Sequence, residues 1–351
     1  MPKIRSQPQS LRRNVSLPIV WVLGFLSQLA FPERKPTTDV DDHQRTPFQR
    51  LELEEGLGAS TWAGFGLAFD IRASELSSKL NRAIASGLWD KAEQITAELE
   101  NYYPKTGLSN FCRGQIDFKQ GNLFSAIRHL EAAADLAPES ELAHLNLGLS
   151  YAAIRQYRLF EQDMKRIIAK NDTWALPHYY LGQYYISEAQ QLATGAQYFR
   201  NALQRNPSDF KSRYYLGYIH ELQNEFDHAI VDFQTAMNLA ASQGSKYSLP
   251  HQGLARIYAA RADTSRALEY ARAAVSLEPG VAAIRLTLGK LYLQREEYEK
   301  AVQELIRTAQ IDTTDPSPHY LLSKAYLKLG RSEDARREQK TFLELKTAYA
   351  E

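Results

Sequence analysis

From residue 73 to the C-terminus, apolar and small residues return to fixed places with a period of about 34 residues. Leu288-Gly289, Tyr292, Tyr298, Ala301 and Leu305 set the pattern. One period earlier the same places hold Leu254-Ala255, Tyr258, Thr264, Ala267 and Ala271, and Pro279 closes the unit. Further back stand Leu216-Gly217, Phe226, Ala229, Phe233 and Ala236, then Leu181-Gly182, Tyr185, Phe199, Ala202 and Pro207, then Leu147-Gly148, Tyr151 and Tyr157. Gly87, Trp89, Ala92 and Pro104 begin the series, followed by Gly114, Gly121, Ala126, Leu130, Ala133 and Pro138; Leu322, Tyr326, Gly330 and Ala335 end it. Eight units therefore start near residues 73, 107, 141, 175, 210, 248, 282 and 316. Each predicts two helical stretches, A and B, with a break near the fifteenth position at Gly87, Gly121, Asn224 and Gly330.

The recurring small residues imply close packing. Glycine in a helix costs up to about 1 kcal/mol relative to alanine, so its return on helix A (Gly114, Gly148, Gly182, Gly217, Gly289) needs a packing reason. An alanine (Ala126, Ala229, Ala301) lies twelve positions later on helix B, and the two are expected to face each other across an antiparallel hairpin. Pro104, Pro138, Pro207 and Pro279 stop helix B, whereas Pro177, Pro250 and Pro318 fall in the first turn of a helix A. Phe160 at the small position of the third unit predicts a splayed or shifted hairpin. The fourth unit has one extra residue between its helices. The fifth has about four extra, including Ser242, Gln243 and Gly244, which predict a loop. The first unit carries Leu80 in place of glycine.

Over about four fifths of the chain, this set of Leu-Gly, Tyr, Ala, aromatic and Pro positions resembles the tetratricopeptide repeat family. The resemblance implies an all-α fold, an α-solenoid of about eight helix-turn-helix repeats forming a right-handed superhelix, because one unit cannot bury its own apolar face. It also implies a non-catalytic protein–protein interaction scaffold. In that family a concave groove is lined by helix A, chiefly at the second, fifth, ninth, twelfth and thirteenth positions. Carried onto this sequence, those positions give a partner-binding set of Tyr179, Gln183, Lys211, Tyr214 and Tyr218, with Glu221 nearby, and a basic ladder of Arg256, Lys290 and Lys324 with Lys328 beside it. Tyrosine and arginine favour interface hot spots, so the expected partner is a protein or peptide, with an acidic extended segment in the C-terminal half of the groove. The family's clamp for the carboxylate tail of heat-shock chaperones is not matched: Asn81 is present, but Ser77 and Cys112 stand at its other places.

The N-terminus differs in kind. Residues 1–16 carry Lys3, Arg5, Arg12 and Arg13 and no acid, and Leu17 to Phe31 (LPIVWVLGFLSQLAF) carries no charge at all. Residues 1–31 read as a basic leader with an apolar signal or anchor segment, which would place the body outside the cytoplasm, exported or tethered to the membrane. Gln28-Leu29-Ala30 is an imperfect cleavage site, so an uncut anchor stays open, and no cysteine is near for a lipid. Residues 32–50 read as a proline-containing acidic linker, and 51–72 as an apolar lead-in covering the first repeat. Gly56-Leu57-Gly58 lacks the strand and βαβ unit that a phosphate loop requires.

Composition narrows the chemistry. Net charge is +1, which argues against a nucleic-acid footprint. The one cysteine, Cys112, rules out an intrachain disulfide and reads as a buried apolar residue. His144, His178, His251 and His319 share the fourth place of their units and read as packing residues, while His220 and His228 straddle a hairpin turn. Neither a catalytic constellation nor a metal or cofactor motif is found, and the chain reads as no enzyme. The alternative function is a structural or oligomerising module whose groove holds its own linker around Asp39, Asp41 and Asp42.

Overall fold

A computed structural model of the chain describes residues 65–67 and 70–348. The basic leader, the apolar run 17–31, the linker 32–50 and Gly56-Leu57-Gly58 lie outside the described residues. Among the described residues there are sixteen helices and no strand, paired in chain order as eight hairpins. The first four are α1 (Ile71–Ala85) with α2 (Trp89–Tyr102), α3 (Leu108–Gln120) with α4 (Leu123–Leu136), α5 (Glu141–Ala153) with α6 (Tyr157–Lys170), and α7 (Ala175–Ser187) with α8 (Leu192–Arg205). Next come α9 (Phe210–Leu222) with α10 (Phe226–Ser242) and α11 (Leu249–Ala260) with α12 (Thr264–Leu277). The last two are α13 (Ala282–Gln294) with α14 (Tyr298–Ile311) and α15 (Ser317–Lys328) with α16 (Ser332–Ala348).

Odd-numbered helices are the A members and even-numbered ones the B members. Each helix packs on its neighbours in sequence. Helix A also meets helix A of the next unit at α3–α5, α9–α11, α11–α13 and α13–α15, whereas no B helix approaches the next B helix as closely. The array therefore curves into a superhelix with the A helices on the inner side.

Helix ends follow the sequence signals. Asp70, Ser140 and Asp263 cap α1, α5 and α12 by accepting from the amides of Ala73, Ala143 and Arg266. Helices α2, α4, α8 and α12 each stop two residues before a proline. Every A–B turn holds one residue in the left-handed region: Gly87, Gly121, Arg155, Gln190, Asn224, Ala262, Glu296 and Gly330. The next amide then donates back to the last turn of helix A, as Asn122 does to Asp117 O at 2.8 Å and Glu297 to Tyr292 O at 2.9 Å. In the fourth hairpin that bond spans one residue more (Gln191 to Tyr185 O), which is where the extra residue is absorbed.

The expected Gly–Ala facing is met by the backbone, with the Ala126 carbonyl oxygen 3.2 Å from a Cβ at Gly114, but a side chain further along helix B comes closer still. A Cβ at Gly114 would lie 2.6 Å from Leu130 Cγ, and one at Gly289 would lie 2.8 Å from Leu305 Cδ2. Gly148 meets Met164, Gly182 meets Phe199 and Gly217 meets Phe233. The glycine thus makes room for a large, fully buried side chain sixteen positions on (seventeen in the fourth unit), one turn beyond the alanine. The reason is that helical side chains lean toward their own N-terminus, so this residue reaches back over the spot opposite the glycine. Phe160 is fully buried and the third hairpin is only slightly wider at this position, the Phe160 carbonyl oxygen lying 3.6 Å from a Cβ at Gly148, against 3.2 Å for the Ala126 carbonyl at Gly114. Phe65 of the lead-in is buried against Phe111, ring centroids 5.3 Å apart.

The extra residues of the fifth unit are shared between helix and loop. Helix α10 lengthens to 17 residues and ends at Ser242, and Gln243 and Gly244 lie in the turn that follows, where Gln243 Nε2 donates to Ser208 O at 2.7 Å and ties the segment to the preceding turn. Tyr247 then packs 5.0 Å from the Phe210 ring and 5.6 Å from Tyr214.

Candidate partner-binding groove

The fourth positions of the A helices are occupied from below, as packing residues. His144 lies 3.7 Å from Asp163, His319 donates to or accepts from Glu338 at 2.7 Å, and His178 and His251 pack beside Tyr198 and Tyr270 at 6.0 and 6.5 Å. In the fifth and seventh units an arginine takes the place, Arg213 with Asp232 at 3.2 Å and Arg285 with Glu304 at 2.5 Å, while the first two units hold Leu76 and Asn110 there. Six successive hairpins thus share one A–B polar or aromatic contact, spaced nineteen residues apart, or twenty in the fourth. That regular spacing was present in the sequence and is the signal that reading the histidines alone misses. His220 and His228 do come together across their turn, rings 5.5 Å apart. Among the described residues no three His, Cys, Asp or Glu side chains converge to hold a metal ion.

Above this layer, the nine predicted partner-binding residues divide into three groups. Gln183 and Tyr214 are buried, at 4 % and 7 % exposure, and Tyr179 is half-buried beside them. Gln183 Nε2 donates to the hydroxyls of Tyr179 (2.9 Å) and Tyr215 (2.8 Å), and Tyr215 stacks on Phe199 at 5.0 Å. Burial pushes the Tyr179 and Tyr214 phenols well above their ordinary range, so both stay neutral. With Tyr247 placed against Tyr214, this cluster is an aromatic core between repeats. Tyr215, which the run of tyrosines on these A helices marks as an inter-helix packing residue, takes that role, whereas Tyr247 stands at no repeat position and carries no such signal.

Lys211, Tyr218 and Arg256 form the second, half-buried group. Arg256 is gripped in two-pronged fashion by Glu221 of the preceding A helix, Nε to Oε1 and Nη2 to Oε2 both at 2.7 Å. Burial opposes the guanidinium charge, but Glu221 outweighs it and keeps the group ionised. The predicted ladder is therefore split, since the charge of Arg256 is cancelled within the chain. Lys290, Lys324 and Lys328 are the third group. All three are exposed, and none forms an ion pair among the described residues. Lys324 sits 4.3 Å above the ring of Tyr320, itself 44 % exposed, and Leu327 beside it is 59 % exposed. Leu286 and Leu293 of α13 are half-buried on the same series of positions.

Cys112 is fully buried, and burial pushes its thiol up to about 12, so it offers no nucleophile.

Family models described as tetratricopeptide repeat match residues 113–172, 187–244 and 258–317, together just over half of the chain. The chain is a tetratricopeptide repeat protein. Its repeats are similar to those of Superkiller complex protein 3 of Mus musculus, 23 % identical over 280 residues, which cover 75 % of this chain and 17 % of the relative. BBSome complex member BBS4 of Bos taurus is 28 % identical over 117 residues, 33 % of this chain and 22 % of that one. The chain thus spans about a fifth of the length of these curated relatives. Among solved structures, the APC/C hetero-tetramer Cut9–Hcn1 matches with a TM-score of 0.62 at 16 % identity, over 73 % of this chain and 49 % of that one. A tetratricopeptide repeat protein from Parabacteroides merdae matches at 0.54 and 17 % identity, over 75 % and 99 %. These likenesses show the fold. A tetratricopeptide array of this kind is a protein-interaction scaffold and typically not a catalyst.

Proposed function

We propose that this protein is an exported or membrane-tethered scaffold whose last two repeats hold an extended acidic segment of a partner protein, in the assembly or quality control of a cell envelope. The observation that carries the partner class is the set of exposed, unpaired Lys290, Lys324 and Lys328 beside Tyr320 and Leu327. Elsewhere on the repeats, cations such as Arg256, Arg285 and Lys165 have a carboxylate within the chain. An acidic segment with apolar residues between its charges complements such a surface, and its capture weakens as salt screens the pairs. The compartment rests on the uncharged run Leu17 to Phe31 between a basic leader and a following stretch, residues 32–72, with eight acids against five bases. No helix among the described residues is long and apolar enough to cross a membrane.

The test is a titration of the full chain with a blocked peptide of alternating Glu and Leu, beside one of alternating Lys and Leu. Binding of the first alone, lost by more than about tenfold in Lys290→Glu/Lys324→Glu/Lys328→Glu, supports the reading. Equal binding of both peptides, or an unaffected triple variant, overturns it. Deleting residues 32–50 separates the alternative: if the groove holds its own linker, the deletion tightens peptide binding or changes the oligomeric state. Cell fractionation with protease protection tests the compartment.

A further inference from the structure

The A–B turns form one edge of the array, away from the inner side, and that edge changes character along the chain. Successive hairpins stack in the same orientation, so the thirteenth to nineteenth residues of each unit, from the end of helix A into the first turn of helix B, line it together. In the last four repeats the edge is polar and satisfies itself. Stretches 222–228, 260–266, 294–300 and 328–334 carry eight acids against six bases. Arg261, Arg266, Arg295, Lys300 and Arg331 are each paired with a carboxylate of the same edge.

The first three repeats reverse this. Stretches 85–91, 119–125 and 153–159 carry Lys91, Lys119, Arg155 and Arg158 against Asp90 alone. Lys91 and Arg158 are exposed, Lys119 is half-buried, and none of these three forms an ion pair among the described residues. Large apolar side chains stand out between them. Phe124 in the first turn of α4 is 75 % exposed, Leu88 at the N-cap of α2 is 52 % exposed, and Leu159 in the first turn of α6 is 38 % exposed. The hairpin does not require them, because the place of Phe124 holds Asp227, Ser265, Glu299 and Glu333 in the last four repeats. Apolar tips set singly among unpaired cations suit a surface with negative headgroups over an apolar interior. We propose that the turn edge of the first three repeats docks on an anionic lipid surface, with Leu88, Phe124 and Leu159 entering the headgroup layer and Lys91, Lys119 and Arg158 meeting lipid phosphates. These are the repeats nearest in the chain to the uncharged run Leu17 to Phe31, and the inference rests on the reading that this run reaches a membrane. Such docking leaves the inner side of the array and its lysine face to a partner protein.

The test places an environment-sensitive fluorophore, acrylodan, beside Phe124 in the full chain. Asn122→Cys supplies an exposed thiol there, while Cys112, the chain's one cysteine, is fully buried and stays unlabelled. The label should shift to the blue on addition of phosphatidylcholine vesicles containing about one quarter phosphatidylglycerol, and not with phosphatidylcholine alone. The same label at Ser265→Cys, on this edge of the sixth repeat, stays in water. Lys91→Glu/Lys119→Glu/Arg158→Glu weakens the vesicle affinity by more than about tenfold, and Phe124→Ser/Leu159→Ser abolishes the shift. Both sets lie at the surface, so the variants keep the parent's melting temperature. Equal shifts at the two label sites, or a shift that neither variant reduces, overturn the proposal. So does a chain that floats with the vesicles while the Asn122 label stays in water, since the run Leu17 to Phe31 then holds the membrane alone. No response to either vesicle also overturns it and leaves the edge to a protein partner. A shift on vesicles by a chain that cell fractionation recovers wholly in the cytosol would instead remove the tether and keep the edge.

Discussion

Phe233 is fully buried and lies between two glycines contributed by consecutive A helices, Gly217 on α9 and Gly253 on α11. A methyl group at Gly253 would come 2.5 Å from Cε2 and 2.6 Å from Cζ of that ring. Ordinary contact begins near 3.4 Å, so the ring would have to retreat by roughly 0.9 Å. It has nowhere to go, because a Cβ at Gly217 would already lie 2.9 Å from Cδ1 and Cε1 on the other side. Overpacking of a closed core costs about 1–3 kcal/mol, whereas replacing a mid-helix glycine by alanine returns about 0.8–1 kcal/mol of propensity. Gly253→Ala is therefore expected to destabilise by a net ~1 kcal/mol, within a range of about 0–2 kcal/mol. Gly289→Ala should cost less, because the group it meets is the flexible end of Leu305. Repeat arrays need not unfold in one step, so the readout is hydrogen exchange of α10 and α11 amides together with the melting temperature. The decisive variant is Gly253→Ala/Phe233→Leu. If the ring is the obstacle, the double variant is more stable than the sum of the single changes by about 1 kcal/mol. A stabilising Gly253→Ala, or strict additivity with Phe233→Leu, refutes the sandwich.

Two further outcomes follow from the turns and the histidines. Ala262 and Glu296 hold φ of 59° and 61°, where a side chain costs about 1–2 kcal/mol, partly offset by the greater freedom of glycine in the unfolded chain. Ala262→Gly and Glu296→Gly should each raise stability by about 0.5–1 kcal/mol in thermal denaturation, and a drop in melting temperature would contradict the assignment of those turns. Burial lowers the titration of His251, and it lowers that of His178 against the opposing pull of Asp172. Both bind fewer protons folded than unfolded, so their contribution to stability is present above the unfolded value of about 6.5 and is lost as pH falls below it. His251→Gln should therefore melt with a shallower decline between pH 7 and pH 5 than the parent, and parallel declines would rule out His251 as a source.

What the sequence displayed plainly is what repeats: the Leu-Gly pairs, the prolines, and the break before each helix B. Those features are local, so a period alone reveals them, and they specified eight hairpins with no structural input. Contacts that depend on side-chain direction were less legible. Spacing across the hairpin sets each glycine against the alanine twelve residues on, whereas the lean of Leu130, Met164 and Phe233 decides what fills the gap. Contacts between units were harder still. That Glu221 cancels Arg256 depends on how α9 sits against α11, thirty-five residues apart, and that Tyr247 joins the aromatic core depends on a segment with no counterpart in the other repeats. The groove positions followed the family resemblance, but which of them remain open to a partner, Lys290 rather than Gln183, is a matter of burial that the pattern does not carry.

The fourth-position contacts bear on how such a chain can lengthen or shorten. In His144–Asp163, Arg213–Asp232, Arg285–Glu304 and His319–Glu338 both members belong to one hairpin. Gain or loss of a whole unit carries the polar pair along intact, while a break between helix A and helix B would strand a polar group without its partner on each side. The hairpin is therefore the natural module of duplication, and its edges are the permissible seams. Some seams are stitched as well, repeats five and six by Arg256 and Glu221 and by the displaced Tyr247, repeats four and five by Gln183 and Tyr215, so a cut there loses contacts that a cut elsewhere would keep.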